Sequence, residues 1–231
     1  RGQPPPCTDK AELDKLLKFY HSKFNKDQKE AFRQAEAIMD EYIRCRLARI
    51  DFTGQNLFIH GPGGTGKSFV LEAIRLMVHQ KTTQALHGEL TNSTTLVVAP
   101  TGCAALNVGG ATLHAAFPLS IQQGRAQSVN TGVSSRKLQQ LRIQYADLHA
   151  ICIDEISMVS VDIIVLLSSR LNSITGIRAG GPMFGGIPIF AFGDLHQLPP
   201  VFGRRLWLDP SRSAQTSVIA KHPWRDCFRM A

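Results

Sequence analysis

The chain has 231 residues, 43% of them hydrophobic and 19% charged, an ordinary balance for a soluble globular protein with a substantial core. A formal charge of +8 leans towards a polyanionic partner, and no apolar run reaches the roughly 18 residues of a membrane span. Five cysteines (Cys7, Cys45, Cys103, Cys152, Cys227) make no C-x-x-C pair and no metal-ligand spacing, which reads as thiols in a reducing compartment rather than a disulfide framework.

Residues 1–9 are a Pro-rich leader with no starting Met and no signal-peptide pattern, and the chain stops at WRDCFRMA. A piece of something longer is expected. Leu13, Leu16 and Leu17 share one side of a short helix from Lys10 to Phe19. From 28 to 49, Ala31, Phe32, Ala35, Ile38, Met39, Tyr42, Ile43 and Leu47 recur at helical spacing, with Asn25 or Asp27 as the cap. Arg44, Arg46 and Arg49 cluster near that helix. Four apolar runs then read as buried strands: NLFIH (56–60), TLVVA (95–99), AICIDE (150–155) and IPIFAFGD (187–194). A helix follows the first, from Lys67 to about His79. The polar text from Leu119 to Asn130 reads as a loop, and SSRKLQQLRIQY (134–145) as a short helix. Strands alternating with helices imply an α/β fold, a mostly parallel sheet with helices on both faces. No internal repeat and no second domain of comparable size is visible. The C-terminal end is basic, with Arg204, Arg205, Arg212, Lys221, Arg225 and Arg229.

The first strand runs into HGPGGTGKS (60–68), which fits G-x-x-x-x-G-K-[ST]. Backbone N–H groups of a Gly61-Pro62-Gly63-Gly64-Thr65-Gly66 loop can wrap a phosphate that bulkier side chains would keep out. The following helix aims its positive end at the same anion. Lys67 supplies a point charge to the β- and γ-phosphates, and the Ser68 hydroxyl can ligate Mg²⁺. A glycine turn that merely precedes a lysine is the plainer alternative, but strand, full motif and helix in that order favour a nucleoside triphosphate site.

Two acids end the third strand. Asp154 is placed to hold Mg²⁺, usually through water, and Glu155 to deprotonate an attacking water, which points to hydrolysis rather than a kinase. The fourth strand ends in GDLHQLPPV. Where a catalytic Glu is present, a strand inserted between those of the phosphate loop and the acids presents a polar sensor to the γ-phosphate. Gln197 suits that role because an amide both donates and accepts. His196 is the competing choice, although a lone His beside a turn is more often surface or packing.

FNKDQ, GPGGTGKS, APTGCAALNVGGATLH, IDEISMVS, FGG and GDLHQLPPV, in that order, resemble the petite-integration-frequency (Pif) family of superfamily-one DNA helicases. The resemblance implies a RecA-like P-loop NTPase lobe over 24–202, preceded by an N-terminal extension over 1–23. Residues 203–231 would lead to a second RecA-like lobe that this chain lacks. It also implies ATP and Mg²⁺ as cofactors, with Gln28 reading adenine. Thr101, Gly102, Thr112, His114 and Phe117 would line the single-stranded DNA track, although Phe117 in ATLHAAF also reads as a core residue. The residues Ser157-Met158-Val159 would serve packing and coupling, and Phe184-Gly185-Gly186 a tight turn. Arg225 and Arg229 are weak candidates for an arginine finger and read better as surface charge.

The implied activity is an ATP-dependent helicase moving 5′→3′ on single-stranded DNA, acting on forked or structured DNA. A cellular eukaryotic relative would work in the nucleus or mitochondrion, in repair and recombination. A Helitron-type transposon helicase and a nucleic-acid-binding relic without catalysis are the alternatives.

Overall fold

The computed structural model describes residues 10–86, 94–119, 121–122, 125–126, 133–178, 181–201, 203–206, 224 and 227–231. The leader with Cys7, part of the predicted 119–130 loop, and Arg212, Lys221 and Arg225 lie outside them. Two helices open the chain, α1 (Lys10–Lys23) and α2 (Lys26–Ala48). Asn25 caps α2: its side chain accepts the Gln28 backbone N–H at 2.8 Å, and Gln28 Oε1 accepts the Asn25 N–H at 3.1 Å. This reciprocal capping box settles the choice between Asn25 and Asp27.

Five parallel pairings build one sheet from β1 (Asn56–His60), β2 (Thr95–Ala99), β3 (Ala111–Thr112), β6 (Ala150–Ile153), β7 (Ile189–Gly193) and β8 (Phe228–Met230), in the order β3-β2-β6-β7-β1-β8. The remaining helices are α3 (Lys67–Leu86), α4 (Gly102–Asn107), α5 (Leu113–Ala116), α6 (Ser135–Gln144) and α7 (Val161–Thr175).

Strands β1, β2, β6 and β7 divide their side chains between two cores. Leu57, Ile59, Cys152, Phe190 and Phe192 join α1, α2 and α3 on one face. Phe58, Ile151, Ile153, Ile189 and Ala191 join α5, α6 and α7 on the other. Burial on both faces explains why these strands read as unbroken apolar runs rather than alternating ones. Helix α3 is sandwiched between the sheet and α1 and α2, so it is apolar almost all round: Val70, Leu71, Ala73, Ile74, Leu76, Met77 and Val78 are all buried. Leu13 and Leu17 of α1 enter the same core, which makes the N-terminal helix an integral part of the lobe.

Beyond shifts at the ends of α1, α2, β6 and β7, three larger differences from the sequence reading stand out. Helix α3 runs a further two turns past His79, where Thr82 is buried and returns its hydroxyl to the Val78 carbonyl at 2.7 Å. Within the expected 119–130 loop, β4 (Ile121–Gln122) pairs antiparallel with β5 (Arg125–Ala126); two-residue strands are too short to leave a periodic pattern. The C-terminal segment, expected only to lead out of the lobe, returns to it as β8 against β1. Among the described residues, no helix is long and apolar enough to cross a membrane.

One buried pair carries a pH signature. The Tyr42 hydroxyl lies 3.0 Å from His149 Nδ1 in the first of these cores, and burial, aided by the Arg46 charge and opposed by Asp147, depresses the His149 pKa from 6.5 to about 4. The folded state therefore binds fewer protons than the unfolded one across that interval. Stability from this group is full above about pH 6.5 and is lost as pH falls towards about 4, a change on the order of 3 kcal/mol. Urea unfolding across that range should show a shallower acid loss in His149→Phe than in the parent chain. Equal slopes would contradict the assignment.

Candidate functional site

The phosphate loop joins the C-terminal end of β1 to the first residue of α3. Gly64 and Gly66 hold φ of +79° and +84°, where a Cβ is strained. Thr65 Oγ1 closes the loop on the Pro62 carbonyl at 2.8 Å, and the Gly61 N–H binds the Gly193 carbonyl of β7 at 3.2 Å. Lys67 Nζ points into the loop, 2.7 Å from the Gly61 carbonyl and 3.0 Å from that of Pro62. Ser68 follows, exposed. The ammonium is thus held against the loop by two of the loop's own carbonyls.

Gln28 reaches this loop from α2. Its Oε1 serves the capping box while its Nε2 donates to the Thr65 carbonyl at 3.0 Å. A Cβ on Gly66 would stand 2.6 Å from the same Nε2, so only glycine admits this approach. The amide braces the loop against the start of α2, and one lone pair and one N–H remain for a base edge. The FNKDQ motif flagged the residue; its link to Thr65 depends on tertiary approach and has no sequence signal.

Strand β6 stops at Ile153, so both acids lie just beyond it. Asp154 is 8% exposed. Burial raises its pKa, opposed by the Glu155 backbone N–H and the Lys67 charge. Glu155 adopts the left-handed conformation, φ 50° and ψ 46°, at a cost of roughly 1–3 kcal/mol for a non-glycine residue. Strain of this kind gathers at functional turns, and nothing in the sequence announced it. Burial also raises the Glu155 pKa, reinforced by Asp154 and then, after the opposing Lys67, by Asp194. Lys67, Asp154, Glu155 and Asp194 therefore share one electrostatic neighbourhood.

Strand β7 sits between β1 and β6, the inserted position expected for a sensor strand. Asp194, 7% exposed, lies just beyond it. Its Oδ1 accepts the His196 N–H and its carbonyl accepts the Gln197 N–H, each at 3.0 Å. That turn carries Gln197 back over the phosphate loop, where a Cβ on Gly63 would lie 3.8 Å from Gln197 Nε2. Beside it an open cleft is lined by His60, Leu195, His196, Gln197, Arg205 and Met230, among others. The sequence singled out Gln197 but not Asp194, whose part emerges only from the turn.

Thr101 and Thr112 fall near one another at the β3–β2 edge of the sheet, because β2 pairs with β3 and sets Ala99 opposite Thr112. Both are helix N-caps. Thr101 Oγ1 accepts from Ala104 N and Thr112 Oγ1 from Ala115 N, each at 3.2 Å, so each hydroxyl hydrogen is left to donate outward. A Cβ on Gly102 meets nothing within 4 Å, and His114 is exposed. The expectation for Phe117 is corrected. It is fully buried, its ring 5.3 Å from that of Tyr145, so no face is open to a stacking base. Phe117→Ala should cost about 3–5 kcal/mol of stability, readable by chemical denaturation; a loss below about 1 kcal/mol would deny it a core role. Arg229 stands exposed on the edge strand β8.

The sequence profile described as "PIF1-like helicase" matches residues 23–228. A Candida albicans protein named ATP-dependent DNA helicase PIF1 is 32% identical over 178 residues, which is 77% of this chain and 18% of that relative. The human protein of the same name is 34% identical over 159 residues, 68% of this chain and 22% of the relative. The crystal structure of the Pif1 helicase from Candida albicans matches with a TM-score of 0.57 and 25% identity, covering 90% of this chain and 39% of that one. The chain thus spans about a fifth of the length of these two curated relatives. On the profile match and these identities, carried on a parallel sheet with a phosphate loop at its strand ends, this chain belongs to the PIF1-like helicase family.

Proposed function

We propose that this chain is the ATP-binding motor lobe of an ATP-dependent DNA helicase. The observation that carries the reading is the convergence of Lys67, Asp154, Glu155 and Gln197 on the phosphate loop from three adjacent strands. ATP lays its phosphates on the loop N–H groups and on Lys67, which exchanges its contacts with the Gly61 and Pro62 carbonyls for phosphate oxygens. Gln28 stands beside the loop at the adenine end. The Ser68 hydroxyl and Asp154 carboxylate are oxygen donors suited to Mg²⁺, and a buried carboxylate with a raised pKa gains from a cation. Held there, Mg²⁺ would offset negative charge on the phosphates.

Glu155 accepts a proton from the water that attacks the γ-phosphorus, and the bond to the β-phosphate oxygen breaks to release ADP. A raised pKa makes Glu155 a stronger base than an ordinary carboxylate. Gln197 hydrogen-bonds the γ-phosphate and loses that partner on hydrolysis, which moves the turn after β7.

Single-stranded DNA runs past Thr101, Gly102, Thr112 and His114, whose small residues and outward hydroxyls admit a phosphate backbone. The curated relatives are named as ATP-dependent DNA helicases, and this supports ATP-driven movement on DNA; movement 5′→3′, action at forks or structured sites and a place in nucleus or mitochondrion enter the proposal on the family resemblance alone. No observation favours the transposon reading over it. A second RecA-like lobe completes the machine in this proposal. ATP turnover of a two-lobed chain, measured with and without single-stranded DNA, tests it. DNA should stimulate turnover, and the stimulation should fade as salt displaces the DNA. Equal turnover with and without DNA would oppose the motor reading.

A further inference from the structure

We propose that His60, Asp194 and His196 form a binding site for a divalent first-row transition ion, with Zn²⁺ the best fit, at the rim of the cleft beside the phosphate loop. One ligand atom from each residue lies within 4.8 Å of the others. The placement follows from the sheet: His60 is the last residue of β1, paired in register with Gly193 of β7, and Asp194 is next along. The turn that Asp194 makes with the His196 N–H at 3.0 Å brings the second imidazole round to the first. The two rings have centroids 6.2 Å apart, inclined at 60°.

Asp194 is buried and its Oδ1 is engaged by that N–H, which fixes the carboxylate as a rigid anchor. His60 and His196 are exposed, so both rings can turn without disturbing the core. Tetrahedral Zn²⁺ with bonds of about 2.0–2.1 Å sets its ligands about 3.3 Å apart, and rotation of the two exposed rings closes the difference. Two imidazole nitrogens and one carboxylate oxygen select a borderline ion over Mg²⁺, which demands oxygen donors. The set shares no ligand with Ser68 and Asp154. Glu155 is a nearby carboxylate outside it and feels the charge of Asp194. His196 directly precedes Gln197, and Asp194 opens the same turn, so an ion here ties the sensor turn to the residue that enters the phosphate loop.

The test is an absorbance titration of the 231-residue chain with Co²⁺, in the absence of nucleotide, followed by displacement with Zn²⁺. Its outcome is therefore independent of whether the lobe hydrolyses ATP. One equivalent should bind. His60→Ala and His196→Ala should each weaken binding by more than the about tenfold that loss of an outer-shell partner costs, with circular dichroism unchanged. Cys103→Ser, which removes an exposed thiol elsewhere, should bind as the parent does. Undiminished affinity in both histidine variants, loss of binding in Cys103→Ser, or displacement of Co²⁺ by an equal concentration of Mg²⁺ would each overturn the assignment.

Discussion

Glu155→Gln lowers ATP turnover by about 10²–10⁴-fold and leaves ATP binding intact. The amide is the same size and can occupy the same left-handed turn, φ 50° and ψ 46°, but it cannot take a proton from water. Binding survives because it rests on the loop donors, Lys67 and the Ser68–Asp154 pair, and removing one negative charge beside a polyanion does not weaken it. The sign of the pH dependence follows from the same site. Burial, Asp154 and Asp194 hold the Glu155 pKa above its ordinary 4.5, so the base is present above that raised pKa and lost as pH falls through it. The acid limb of turnover should therefore lie above the usual glutamate range and vanish in Glu155→Gln. Phosphate release and equilibrium nucleotide titration, run in parallel, separate the two quantities. Turnover within about tenfold of the parent would remove Glu155 as the base.

Residues 1–231 alone should bind ATP yet hydrolyse it about 10³–10⁵-fold more slowly than a two-lobed relative, the range that an arginine finger contributes. Among the described residues, the positive charge that Asp154 and Glu155 both feel is that of Lys67. Lys67 already meets the phosphates in the ground state, and charge that develops on the γ-phosphoryl group in the transition state calls for a second cation. In the proposed machine the other lobe brings it when the cleft closes. The chain's share of its curated relatives, 18% and 22%, leaves ample length for such a lobe in them. Steady-state phosphate release beside a two-lobed helicase is the measurement. A matching rate, or unwinding of a tailed duplex by this chain alone, would contradict the division of labour.

Much of this fold is legible because parallel strands buried on both faces leave unbroken apolar runs. NLFIH and TLVVA coincide with β1 and β2 to the residue. Helix ends are harder to read: the last turns of α3, KTTQAL, look polar, yet Thr82 is buried there. Strand β8 is three residues long and exists because Phe228 pairs with Asn56 from the opposite end of the chain, a partnership with no local signal. At the site, the phosphate loop and the acid pair follow from motif and spacing. The brace from Gln28 to Thr65 depends on how α2 packs on α3, and the reach of Gln197 to Gly63 on β7 lying beside β1. At Phe117 the residues and the resemblance pointed apart, and the core reading of the residues holds. An aromatic near a nucleic-acid motif suggests stacking, but ATLHAAF at a helix start turns that ring inward against Tyr145.

The central claim is that the loop after β1 holds ATP through Lys67. Its most direct test is an equilibrium titration of residues 1–231 with a fluorescent ATP analogue in Mg²⁺, set beside Lys67→Ala. Saturable one-to-one binding in the parent is expected, with affinity falling about tenfold or more once charge-assisted contacts to phosphate are lost. Absence of saturable binding in the folded parent, or equal affinity in Lys67→Ala, would contradict the account.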